Sequence, residues 1–236
     1  EGFTDFYTYE LLRRGQLITD AEYVARYNEL IREYYMLPVR EAPNETILKD
    51  FWTNREVQRL PYLRGLMFAT NLNADIRKAS RGRHSLDNVI HDLFKSSDAS
   101  KRELSFECLA AAFKVYLTAD PLPMMKRHLI EGELTAPHAD ALGEGISQDI
   151  VETPIFELGF DFDKFAKERT VADVNPNSAA YAAGLRNGQK RNGGVSVAFG
   201  DTTKEIELKV KDGDDEKTIK YLPAARERVS IPQYKV

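Results

Sequence analysis

Four histidines, one cysteine and scattered acids are the residues of this 236-residue chain that could hold a metal or move a proton. The histidines are His84, His91, His128 and His138. A peptidase-type zinc helix needs two histidines four apart with a glutamate between them, and no pair has that spacing. His84 and His91 are seven apart and could share a helix face, but no acid stands between them in the right register. All four are expected at the surface or its rim. Cys108 is alone, so no internal disulfide can form. It lies in an apolar run, Phe106 to Phe113, and is expected to be a small buried hydrophobe. Tyr62 follows Pro61 at an expected helix start, a rigid and reachable place for a phenol.

The elements that must position these groups change character along the chain. The first 130 or so residues read as helical. Residues 3–14 form an aromatic-rich helix stopped by Gly15. Thr19-Asp20-Ala21-Glu22 is a capping box, opening a helix with Tyr23, Tyr27, Leu30, Ile31 and Tyr34 on one face. Pro38 and Pro43 interrupt. A helix is expected over 45–60, and another starts at Pro61, whose missing N–H suits a first turn, and runs to Gly82. Ser85 caps 86–94, a polar gap covers 95–101, and a helix spans about 105–118. Pro121 and Pro123 precede a short helix ending near Gly132.

Residues 133–152 have no clear period and read as a connector. From 153 onward short β-like runs alternate with turns. Residues 205–210 alternate strictly, 211–214 turn, and 218–222 alternate again, which predicts a hairpin. A strand is also expected over 195–199.

Several ordered stretches carry a resemblance. Glu1-Gly2-Phe3-Thr4-Asp5, Leu11-Leu12-Arg13-Arg14-Gly15, Pro61-Tyr62-Leu63-Arg64-Gly65, Asp75-Ile76-Arg77 with Ser85-Leu86-Asp87, and Pro121-Leu122-Pro123 together resemble the part of the M61 (glycyl-aminopeptidase-like) gluzincin metallopeptidases that lies after the HExxH helix. The resemblance implies that Glu1 is a third zinc ligand and that Tyr62 is the catalytic phenol that hydrogen-bonds the tetrahedral oxyanion. The HExxH segment itself is missing. The implied parent removes N-terminal residues, Gly or Ala, from peptides with a zinc-bound hydroxide, and this chain alone is expected to bind no zinc and to be inactive. The aromatic cluster Phe3, Phe6, Tyr7 and Tyr9 is expected to be core, part of it packing on the missing N-terminal half and otherwise favouring self-association.

A second resemblance covers the tail. Glu157-Leu158-Gly159-Phe160 resembles the carboxylate-binding loop of PDZ domains, and Val171 through Leu185, with Ser178 as a cap and Gly184 as a stop, resembles the next stretch of that family. The resemblance implies peptide binding at Leu158, Gly159 and Phe160, through a nest of N–H groups and the edge of the next strand. Gly188-Gln189-Lys190-Arg191 departs from the family pattern, which carries an acid there.

The expected architecture is therefore α+β multidomain: an all-α C-terminal half of a thermolysin-like catalytic domain (1–132), a connector (133–152) and a β-rich PDZ-like domain (153–236). The alternative function is a non-catalytic PDZ-type peptide-binding or scaffolding protein. Peptide substrates or C-terminal peptides, and the missing N-terminal half, are the implied partners. A net charge of −4 with interleaved signs gives no basic field for nucleic acid. No run reaches the ~18 apolar residues that span a bilayer. The chain opens without Met, so it is expected to be a piece of a longer protein. Any signal peptide would lie upstream, and periplasm and cytoplasm both stay open.

Overall fold

The computed structural model describes residues 1–100 and 105–236, with side chains described up to Lys95 and again from Ser105. The chain is α+β and divides into two compact units, residues 1–149 with 232–236, and residues 150–231. It leaves the first unit within strand β1 (Ser147–Phe156) and returns within β5 (Ala224–Lys235), which pair in a two-stranded sheet. The last five residues thus belong with the helices, although sequence placed them in the tail domain. The cause is a partner far away in sequence: Asn28 accepts from the Tyr234 N–H at 2.8 Å and donates to its carbonyl at 2.8 Å.

The first unit is helical. α1 (Gly2–Arg14) ends at Gly15. α2 (Asp20–Met36) starts at the capping box: Thr19 Oγ1 accepts from the Glu22 N–H, and the Glu22 carboxylate accepts from the Thr19 N–H at 2.8 Å. Its expected face, Tyr23 to Tyr34, is buried. α3 (Asn44–Asp50) is short, and α4 (Arg55–Ala79) runs 25 residues. The middle of α4 is buried on every side, from Leu66 to Asn73, which makes it the helix the others pack around.

Here the expected boundaries fail. Pro61 lies inside α4, because Asn54 caps the helix earlier, its Oδ1 accepting from the Glu56 and Val57 N–H groups at 2.9 and 3.2 Å. The apolar stripe Val57, Leu60, Leu63 continues through the proline and holds the helix together across it.

α5 (Leu86–Ser100) crosses most of the expected polar gap; its last expected residue, Lys101, lies outside the described residues. α6 (Phe106–Lys114) starts at Ser105 as expected, its Oγ accepting from the Cys108 N–H. Cys108 is exposed rather than buried, because the inward face carries Ala110 and Phe113. α7 (Leu122–Met125) and a π-helical turn (Lys126–Glu131) end at Gly132.

The second unit has a three-stranded antiparallel sheet of β2 (Lys190–Arg191), β3 (Ile206–Asp212) and β4 (Asp215–Tyr221), in that order. The expected hairpin is present, with Ile206 opposite Tyr221 and Asp212 opposite Asp215. Ile206, Leu208, Val210, Ile219 and Tyr221 point into a core with Phe160, Phe165, Val171, Ala180 and Leu185. Two short helices, α8 (Phe162–Lys167) and α9 (Ala179–Ala182), complete it. Residues 195–199 form no strand. Val195 and Val197 pack on the core, but no neighbouring strand pairs with them.

Candidate functional site

Two glycines bring the first site together. Gly2 of α1 and Gly65 of α4 lie backbone against backbone: a Cβ on Gly2 would sit 2.2 Å from the Gly65 carbonyl carbon, and one on Gly65 would sit 2.9 Å from the Gly2 Cα. Only glycine at both positions lets helices approach so closely. Glu1 precedes the first glycine, and Tyr62 stands one helical turn before the second. The contact therefore places a carboxylate beside a phenol 61 positions away in sequence.

The electrostatics follow from that approach. Tyr62 has a raised pKa, caused first by the negative charge of Glu1, then by burial and a side-chain hydrogen bond to Glu1, with Asp5 adding to it. A phenol held this way stays protonated and can donate a hydrogen bond. The guanidinium of Arg59 lies 5.8 Å from the Tyr62 ring centre and works in the opposite sense. Arg59 is itself fixed by a two-pronged pair with Glu33, at 2.6 and 2.9 Å.

Sequence inspection named Glu1 and Tyr62, which the structure brings together, and missed Asp5, Arg59 and Glu33. Asp5 is one turn beyond Glu1 and Arg59 one turn before Tyr62, so helical spacing could have found both. Glu33 comes from α2 and carried no signal. Among the described residues, no group of three or more His, Cys, Asp or Glu could hold a metal ion. Zinc in a catalytic site takes three protein ligands; Glu1 offers one. The residues present do not by themselves fit a zinc centre.

A groove of about 660 Å³ lies elsewhere on this unit, around the C-terminal end of α1, and includes neither Glu1 nor Tyr62. Its arginines are largely committed: Arg13 to Asp20 at 2.7 Å and the Leu142 carbonyl at 2.8 Å, Arg14 to Asp87 at 2.6 Å. The histidines are not gathered at any site; His138 is half-exposed beside Asp75 at 3.5 Å.

In the second unit, Gly159 has φ +78°, and a Cβ there would lie 2.5 Å from Ser178 Oγ. Phe160 is core, Leu158 packs partly against it, and the Leu158 carbonyl accepts from Tyr221 Oη at 2.8 Å. The Gly159 carbonyl accepts from the Asn175 N–H at 2.8 Å. Among the described residues, nothing accepts from the N–H groups of Leu158, Gly159 or Phe160. Three successive free donors on a left-handed turn can receive an anion. The strand expected after this turn is absent, and α8 stands in its place. The reason is local. Asp161 caps that helix by accepting from the Lys164 N–H at 2.9 Å, and Phe165 buries itself completely.

The mixed helical and β-sheet arrangement has a counterpart among solved structures. The crystal structure of an aminopeptidase N family protein from Idiomarina loihiensis superposes with a TM-score of 0.57 at 17% identity. The match covers 100% of this chain and 46% of that one, so this chain spans about half the length of the structure it matches. At that identity the likeness shows the fold alone. No protein-family model matches the chain, and no curated protein matches it.

Proposed function

We propose that residues 1–132 are the C-terminal, thermolysin-like helical part of a zinc aminopeptidase of glycyl-aminopeptidase-like type, in which Glu1 is a metal ligand and Tyr62 the oxyanion donor. The observation that carries this reading is the convergence of Glu1 and Tyr62 across the Gly2–Gly65 contact. A carboxylate for the metal next to a protonated phenol is what peptide-bond hydrolysis asks of these two positions. The fold likeness to an aminopeptidase N family protein supports it at the level of architecture. One carboxylate does not make a zinc site, so this chain alone is proposed to be inactive.

The test uses the full-length gene product. Zinc content and hydrolysis of glycyl and alanyl p-nitroanilides are measured for the unaltered protein, Glu1→Gln and Tyr62→Phe. Glu1→Gln should lose zinc. Tyr62→Phe should keep zinc and lose about 10²–10³ in kcat. Full activity in both variants, or chelator-sensitive hydrolysis by the 236-residue chain alone, would overturn the reading.

The free amides at Leu158–Phe160 favour a second reading, in which residues 153–236 are a PDZ-like module binding a C-terminal carboxylate. With α8 after the turn, affinity would come from the carboxylate more than from strand addition. Fluorescence polarisation with peptides ending in a free carboxylate or in an amide decides it. Equal binding of both, or of neither, rules it out.

A further inference from the structure

Tyr62 is held between charges of opposite sign, and the cation, Arg59, has a fixed place. The two residues are three apart on α4, which makes them neighbours on one face of that helix. The Arg59 guanidinium lies 5.8 Å from the Tyr62 ring centre. It does not swing freely, because Glu33 of α2 grips it with both oxygens, Nε donating at 2.6 Å and Nη2 at 2.9 Å. The two side chains are 34% and 24% exposed, so the pair is more sheltered than an ordinary surface ion pair. A two-pronged clamp of this kind fixes direction as well as distance.

The opposite side is acidic. Glu1, and Asp5 one turn further along α1, both hold the Tyr62 phenol in its protonated form, and Arg59 acts against them. Asp5 and Tyr9 of α1 also act on the Arg59 guanidinium. An arginine keeps its charge at every working pH, so this opposition does not switch off. A phenol acted on by carboxylates alone keeps its proton but is a weak donor, because a hydrogen bond to a developing oxyanion strengthens as the donor becomes more acidic. A cation at a fixed distance restores acidity without taking the proton away.

We propose that Arg59, clamped by Glu33, is the positioning residue of the Tyr62 phenol: it offsets Glu1 and Asp5, so that the phenol stays protonated and still donates strongly. Its use in catalysis rests on the peptidase reading given above; its effect on the phenol does not. Arg59 touches neither the metal carboxylate nor the reacting atoms, and works only through Tyr62.

The test is carbon-13 NMR titration of ring-labelled tyrosine in the 236-residue chain, with Tyr62→Phe assigning the resonance. In Arg59→Gln the Tyr62 midpoint should move up, further from an ordinary phenol. Arg59→Lys, which keeps the charge, should restore most of the difference, and Asp5→Asn should move the midpoint down. A purely structural role predicts the opposite sign for Arg59→Gln, because a loosened site lets Tyr62 drift down toward an ordinary phenol. If Arg59→Gln does not fold, the double variant with Glu33→Gln carries the same measurement, since no unpaired carboxylate is then left in the pair's place. A Tyr62 midpoint that is unchanged or lower without Arg59 overturns the proposal. In the full-length gene product Arg59→Gln should lower kcat with little change in KM. Full kcat there, beside an inactive Tyr62→Phe, also overturns it. Full kcat in both variants overturns the peptidase reading instead, and the titration still decides what Arg59 does to the phenol.

Discussion

Replacing Gly65 by alanine sets two opposite effects against each other. In the interior of a helix such as α4, Gly→Ala ordinarily gains about 1 kcal/mol from backbone entropy. Here the new Cβ would lie 2.9 Å from the Gly2 Cα and 3.1 Å from its nitrogen. Carbon pairs rest at about 3.5–4.0 Å, so α1 and α4 would have to part by roughly 0.6 Å or more. Overpacking of this kind costs about 1–3 kcal/mol. The net expectation is destabilisation by up to about 2 kcal/mol, opposite in sign to the ordinary substitution. Gly2→Ala is tighter, at 2.2 Å from the Gly65 carbonyl carbon, but α1 can escape by lifting its first turn. Its signature is therefore electrostatic. Moving Glu1 away should let the Tyr62 pKa fall toward that of an ordinary phenol. Urea unfolding reads the first effect. Carbon-13 NMR of ring-labelled tyrosine reads the second, with Tyr62→Phe assigning the resonance among eleven tyrosines. Both substitutions open one crossing, so the double variant should cost less than the two singles together. A Gly65→Ala chain that is about 1 kcal/mol more stable, with Tyr62 titrating unchanged, would refute the close approach.

Single contacts yield further expected outcomes. Thr19→Ala removes the acceptor for the Glu22 N–H and should cost about 1 kcal/mol, measured by urea unfolding. Phe165→Ala empties a fully buried position in the second unit and should cost about 3–5 kcal/mol, with loss of its methyl chemical-shift dispersion. The His138 pKa is raised, first by its hydrogen bond to Asp75, with Asp140 adding and Lys78 opposing. Its contribution to stability is fully present below the ordinary histidine value and is lost as pH rises through the folded value. Asp75→Asn should therefore lower stability more at pH 6 than at pH 8, and an equal loss at both would count against the pair.

Much of the helical unit was legible because its signals are local. A capping box needs four residues, and the face from Tyr23 to Tyr34 needs three turns; both are found as expected. The β3–β4 hairpin likewise declares itself by alternation around Gly213. The failures are places where other residues, in the same helix or far along the chain, outweigh the immediate pattern. Pro61 looks like a helix start, but the cap at Asn54 and the continuing stripe of leucines make it an interior residue. β5 pairs with β1, some seventy positions upstream, with no turn between them to announce the pairing. Cys108 sits in an apolar run, yet the face that packs is set by Ala110 and Phe113.

The same distinction bears on the candidate sites. Gly159 is the residue that most strongly suggests a carboxylate loop, and its substitution by a bulky residue would be the obvious probe of peptide binding. The structure removes that probe. A side chain at Gly159 would strike Ser178, the cap of α9, and would also strain a backbone at φ +78°. Lost binding would then be indistinguishable from a lost fold. Gly2 and Gly65 differ, because their contact has a chemical consequence that can be read without activity, in the titration of Tyr62. A glycine motif that only permits packing says that two segments touch. One that also sets a neighbouring charge says what the touching is for. Glu1→Gln leaves the glycines in place, so it should lower the Tyr62 pKa with little change in stability; an unchanged titration would show that the helices meet without Glu1 reaching the phenol.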